Sequence, residues 1–214
     1  MGETSSADIR AEGLAELLAQ LPQRMGPGRA TLGGLLSLLG EQATALVLLV
    51  FSIPAIIPTP GIPAGMVFGT ALALLAGQLV IGAERFMLPQ RLARVEVPEA
   101  LLKAMAVRLG PKLAWLETWL RPRLTALAGR AALRPLGGVV FVMAVLIALP
   151  IPFGNVLPGL SIFFVALGLA QRDGAAVAGG LGLGLLALAF TAFVLLGGWW
   201  LISDWLGLAS GGAA

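Results

Sequence analysis

The sequence predicts an all-α integral membrane protein, and three observations carry that expectation. The first is composition: of 214 residues 58% are hydrophobic and 12% charged, with a mean hydropathy of +0.94. That is too apolar for a soluble domain of this size. The second is a pair of proline- and glycine-rich interruptions inside hydrocarbon-like sequence, FSIPAIIPTPGIPAGMVFGTALALLAGQ from Phe51 and LIALPIPFGNVLPGLSIFFVALGLAQ from Leu146. Pro150, Pro158 and Gln171 answer Pro54, Pro63 and Gln78 at nearly constant offset, which reads as an internal duplication. The third is charge. Residues 84–134 hold ten Lys and Arg against four Glu, while the residues before Glu84 hold three Arg against five acids, a positive-inside asymmetry that places 84–134 in the cytoplasm. The expected fold is therefore a set of duplicated proline-broken apolar hairpins, re-entrant or spanning, plus a C-terminal transmembrane helix and amphipathic interfacial helices.

One membrane domain is expected over residues 1–214, in four parts: N-terminal amphipathic helices over 1–40, a first repeat over 41–97, a cytoplasmic amphipathic linker over 98–134, and a second repeat with the C-terminal span over 135–205. Residues 1–21 carry Glu3, Asp8, Glu12 and Glu16 where a cleavable signal needs a basic region and an apolar run, so the start is expected to be retained. Ser5 to Asp8 has the spacing of a helix start, and Ile9, Leu14, Leu17, Leu18 and Leu21 then share one face. Pro22 and the glycine-proline cluster at 25–28 end that helix. A second short helix follows, with Thr31 as its N-cap and Leu32, Leu35, Leu36 and Leu39 at helical spacing.

Residues 43–57 form an apolar run of about fifteen residues, short of the roughly twenty that a helix needs to cross. After the break at 58–63, residues 64–83 read as a full-length span. The rhythm repeats: 136–149 is short, 150–158 is the break and 159–170 is short again. Residues 175–202 are long enough to cross with tilt, and Trp199, Trp200 and Trp205 stand where an aromatic belt is expected. Residues 98–133 read as helical, because Lys103, Arg108, Lys112, Glu117, Arg121 and Arg123 recur opposite Leu101, Leu102, Met105, Leu109, Leu113, Leu116 and Leu120. Gly110-Pro111 and Arg121-Pro122-Arg123 divide this linker. With Trp115 and Trp119 one turn apart, it should lie in the cytoplasmic interface.

The chain has no cysteine and no histidine, which removes disulfides, thiolate chemistry, histidine metal ligation and the commonest general base. Neither paired carboxylates nor a nucleophile with its base is evident, so catalysis, a cofactor and a metal are not expected. The excess of basic residues suits anionic headgroups rather than nucleic acid.

Several motifs together resemble a known family. They are Gly40-Glu41 before the first apolar run, the stretch Ile57-Pro58-Thr59-Pro60-Gly61-Ile62-Pro63-Ala64-Gly65, Leu88-Pro89 with basic sequence after it, Arg121-Pro122-Arg123, Pro150-Ile151-Pro152-Phe153-Gly154-Asn155, and Arg172-Asp173-Gly174. The combination, which covers nearly all of the chain after about residue 25, resembles the bacterial exopolysaccharide synthesis proteins of the ExoD type. The resemblance implies an inner-membrane protein linked to exopolysaccharide production. It supplies no catalytic residues.

Candidate ligand-binding residues follow from position. Glu41 stands at the mouth of an apolar run, where an ionisable group is functional by default, although a first-turn carboxylate favoured by the helix dipole fits equally. Thr59 lies in the first break. Asn155 lies in the second, to bind a polar ligand or, with the better odds, to cap the next helix. Gln78 and Gln171 fit packing between helices better than a site. Arg85, Arg172 and Asp173, with Glu84, occupy the cytoplasmic ends of the two apolar arms, where they can pair across the duplication, fork onto a diphosphate headgroup through arginine or, with the better odds, simply anchor the interface. Arg121 and Arg123 are candidate lipid or phosphate contacts. The glycines at 179–184 and 197–198 suit close helix approach. Three functions stay open: handling a lipid-linked saccharide or anionic lipid, a non-catalytic scaffold for polysaccharide synthesis or export proteins, and a small proton or cation transporter working through Glu41. Membrane lipids are the expected partners, and the oligomeric state is left open.

Overall fold

The computed structural model describes residues 16, 20, 31, 33, 34, 37, 42–56, 64–83, 93, 94, 96, 107, 111, 114, 115, 118, 120–149, 151 and 154–205. Among the described residues the longest helices are α1 (Gln42–Ile56), α2 (Ala64–Val80), α3 (Leu133–Ala148), α4 (Val156–Gln171) and α5 (Gly174–Trp205), with a 3-10 turn at Arg130–Ala132 leading into α3. Among the described residues no strand occurs, only an isolated antiparallel bridge between Thr31 and Glu96. Glu41, Thr59, Glu84, Arg85 and Trp119 lie outside the described residues.

Packing pairs the helices crosswise: α1 lies along α4, and α2 lies along α3. The glycines show the direction. A Cβ on Gly69, early in α2, would come within 2.6 Å of the Ala148 nitrogen at the end of α3, and one on Gly137, early in α3, within 2.7 Å of Leu79 Cβ at the end of α2. The two helices therefore run antiparallel, with backbones brought together by small residues at both ends of the contact. Likewise a Cβ on Gly159, at the start of α4, would meet Ile56 Cγ1 at 2.7 Å at the end of α1. Helices α1 and α4 are the most enclosed, with Leu48, Ile162 and Val165 fully buried.

Helix α5 runs back along α4. Its buried residues are Gly174, Val177, Gly180, Gly184, Ala187 and Thr191, a three-four spacing that makes one seam of a helix. Ser161 Oγ donates to the Gly180 carbonyl at 2.7 Å, and a Cβ on Gly180 would lie 2.8 Å from the Val165 nitrogen. The seam stops at Thr191. Beyond it Phe193, Leu195, Leu196, Trp199, Trp200 and Trp205 are exposed, because α5 outlasts its partner: 32 residues against 16, or about 48 Å against about 24 Å.

Close approach holds for Gly180 and Gly184. It fails for Gly179, Gly182, Gly197 and Gly198, where an added Cβ would meet nothing within 4 Å. These four lie off the seam or past its end. The span expected over 64–83 is a 17-residue helix, about 25 Å long, and it stops at Val80 by a Schellman cap. Ala83 N–H donates to the Gln78 carbonyl at 2.9 Å and Gly82 N–H to that of Leu79 at 3.0 Å, with Gly82 at φ +93°. The Arg134 guanidinium lies where a Gly82 side chain would go. Gly82→Ala is expected to cost about 1 kcal/mol through its backbone, since Arg134 can swing aside, and a thermal melt of the purified variant checks this.

A further expectation is corrected. The linker was expected to be helical to Leu133, but residues 120–129 are irregular and turn structure. Pro122 removes a helical donor and pushes Arg121 out of the α region. The breaks are placed differently along their helices: Pro54 lies inside α1, whereas α3 ends at Ala148, and its C-cap Leu149 has a ψ of 135°, the conformation that a following proline imposes. Thr31 does act as an N-cap, its Oγ1 accepting from Gly34 N–H at 3.2 Å.

Candidate functional site at the paired helix breaks

The antiparallel pairing has one consequence for function. The end of α1, the start of α2, the end of α3 and the start of α4 all lie at the same end of the bundle, so the helix ends that flank the two breaks meet. Phe51 and Phe68 brace the first, their rings edge to face at 6.1 Å. Across the breaks, a Cβ on Gly65 would overlap the Asn155 amide nitrogen and lie 3.1 Å from the Ile147 carbonyl oxygen. Asn155 therefore packs on the bare backbone at the start of α2.

Asn155 is the N-cap residue of α4 but makes no side-chain capping bond, with φ −80° and ψ −24°. The expected cap is corrected here. An N-cap residue normally holds extended angles so that its side chain can reach back to the N2 or N3 amide, and αR angles turn the amide away. Its Oδ1 is buried without a hydrogen-bond partner among the described residues, and so is Gln42 Oε1. Such an atom costs roughly 1–3 kcal/mol when nothing satisfies it. Gln42 starts α1 and so belongs to the opposite end. Sequence reasoning chose Glu41 and missed its neighbour, though the same signal, a polar residue opening an apolar run, pointed to both.

At that opposite end stand the other described candidates. Asp173 is 2% exposed. Its Oδ1 accepts from Ala175 N–H at 2.9 Å and Ala176 N–H at 3.4 Å, and its Oδ2 from Arg121 N–H at 3.1 Å. That carboxylate caps α5 and ties down the linker. Arg121, Arg123, Arg130, Arg134 and Arg172 are all exposed there. Gln78 and Gln171 lie near the ends of α2 and α4. The capping bonds align Gln78 with Gly168, each being the carbonyl that receives the long closing bond, so Gln171 stands three residues further along. The structure thus gathers Asn155 with the breaks and Gln78, Gln171, Arg172, Asp173, Arg121 and Arg123 at the far end.

These features define, among the described residues, an all-helical protein with two helices long and apolar enough to cross a membrane, Arg130–Ala148 and Gly174–Trp200, and with the helix ends that flank both breaks at one end of the bundle. The chain belongs to the ExoD family: the family described as "Exopolysaccharide synthesis, ExoD" matches residues 14–193. It is 34% identical to Protein ExoD of Rhizobium meliloti (strain 1021) over 157 residues, which is 70% of this chain and 64% of that protein's length. It is 28% identical to the uncharacterized protein slr1875 of Synechocystis sp. (strain ATCC 27184 / PCC 6803 / Kazusa) over 190 residues, 85% of this chain and 90% of that one. No solved structure matches.

Proposed function

We propose that this chain is an inner-membrane protein that supports exopolysaccharide synthesis or export by handling a lipid-linked saccharide or related anionic lipid, whose polar part is received between the two helix breaks. The observation that carries the reading is the buried, unpartnered Asn155 Oδ1 beside the bare Gly65 backbone. Around it, the starts of α2 and α4 bring further N–H donors that have no partner within their own helices. A saccharide hydroxyl can donate to the amide oxygen and accept from such N–H groups.

Depth supports the same reading. With the arginine-rich end at one membrane surface, the level of Thr191 on α5 lies about 26 Å away, and Trp199 and Trp200 about 13 Å beyond that. If the tryptophans mark the far interface, the breaks lie inside the hydrocarbon, and both hairpins enter from and return to the arginine side. In this reading they are duplicated re-entrant hairpins, with α5 crossing fully. Irregular backbone at that depth persists where protein shelters it or a cavity receives it.

Asn155→Leu tests the site. Leucine has nearly the same size and removes the orphaned oxygen, so the variant should insert normally and melt at or above the wild-type temperature, while polysaccharide output is lost. Normal output would sink the pocket. As the chain contains no cysteine, Asn155→Cys also gives a single thiol, expected to label slowly from bulk water. The scaffold reading draws on the exposure of Val107 (72%) and Trp115 (62%) on the linker. It requires crosslinks from position 115 to a second protein.

A further inference from the structure

Two stretches about fifty residues apart are knotted together at the arginine-rich end. Arg121 N–H donates to Asp173 Oδ2 at 3.1 Å, Gly174 N–H donates to the Arg123 carbonyl at 2.6 Å, and the Leu124 carbonyl oxygen occupies the place of a Gly174 side chain. Among the described residues the only non-glycines with left-handed φ are Leu124 (47°) and Arg172 (53°), and both belong to this knot. A left-handed non-glycine costs about 1–2 kcal/mol, and such outliers concentrate at functional positions. The contrast with α2 is direct. Each helix closes on a residue in the left-handed region, and α2 uses Gly82 there while α4 uses Arg172.

The strained position therefore carries a guanidinium where glycine would relieve the backbone. Arg121 and Arg123 emerge from the same knot, and all three arginines are exposed. Its one carboxylate, Asp173, is buried and bonded to backbone amides, so the knot presents positive charge outward. Directly behind it begins the 27-residue apolar stretch Gly174–Trp200, which sets the three arginines at the boundary between hydrocarbon and water.

We infer that Arg121, Arg123 and Arg172 form a docking surface for the phosphate-bearing headgroups of anionic membrane lipid, with Asp173 as the residue that positions it. The guanidinium fork matches phosphate oxygens, and basic residues at this depth are drawn to an anionic leaflet. The inference rests on the membrane reading above but not on the pocket at the breaks.

The test uses the full chain purified in neutral detergent and titrated with phosphatidylglycerol, phosphatidylcholine or inorganic diphosphate while its melting temperature is followed. Phosphatidylglycerol should raise the melting temperature, and neither phosphatidylcholine nor diphosphate should reproduce the rise. Arg172→Gly should melt at or above the wild-type temperature without lipid, yet keep no more than roughly half of the phosphatidylglycerol shift. Arg121→Gln with Arg123→Gln should reduce the shift further, and Arg130→Gln with Arg134→Gln, outside the knot, should retain it. An undiminished shift in Arg172→Gly and in the Arg121/Arg123 variant overturns the inference. A shift given equally by phosphatidylcholine also overturns it, and one given by diphosphate alone reassigns the site to soluble phosphate. Alkaline extraction of membranes checks the underlying reading separately: release of the protein removes both, whereas a retained protein without a phosphatidylglycerol response removes the headgroup surface only.

Discussion

Asp173→Ala is expected to destabilise the protein by about 1.5–5 kcal/mol, a sum of two losses that fall on one side chain. The first is the N-cap of α5, where the carboxylate serves Ala175 and Ala176 and whose removal costs roughly 0.5–2 kcal/mol. The second is the bond from Arg121 N–H, whose donor is left with no acceptor at a site where Asp173 is 2% exposed, at roughly 1–3 kcal/mol. Asp173→Asn should fall between alanine and wild type. Its amide oxygen can still cap the helix, but its NH2 group then faces another donor. Thermal melts of the three proteins in one detergent check the order. If asparagine and alanine melt together, or if alanine melts with wild type, Asp173 does not join the linker to the last helix.

Gly69→Leu is expected to have the largest effect of all, preventing accumulation of folded protein. At that position even a Cβ would lie 2.6 Å from the Ala148 nitrogen, 2.9 Å from the Ala144 carbonyl oxygen and 3.0 Å from Ala148 Cα. All three are backbone atoms, so no rotamer change relieves the overlap and α2 must move off α3. Overpacking by a methylene or two costs about 1–3 kcal/mol where side chains can adjust, and this case offers no such adjustment. The control is on the same helix: a Cβ on Gly77 meets nothing within 4 Å, so Gly77→Leu should express and run as a single species. Yield and monodispersity on size-exclusion chromatography distinguish the two. Equal behaviour would mean that α2 and α3 do not pack backbone to backbone.

Much of the architecture is legible in local chemistry. Leucine-rich runs bounded by proline gave the helices, and the 32-residue final helix was foreseen from its unbroken apolar stretch. Thr31 was identifiable as a cap because the capping bond spans only three residues. What escaped local reading depends on contacts across the chain. Asn155 looked like a cap because asparagine before a helix usually is one, but its amide lies instead against Gly65 at the start of α2. Gly180 and Gly184 cannot be told from Gly179 and Gly182 until the direction of α4 is known. Asp173 read as an interface anchor at the end of an apolar arm. Its role needs Arg121, 52 positions away.

By itself the sequence determined that this chain builds apolar helices and that its basic residues gather outside them, since each follows from propensity, hydropathy and charge along a few neighbouring residues. Only the tertiary structure decided that α1 runs against α4 and α2 against α3, and hence that the two breaks share one end while the arginines occupy the other. The physical reason is that helix pairing is chosen by how closely two backbones can approach. That depends on which glycines face which partner, a property of two surfaces together that neither stretch carries alone.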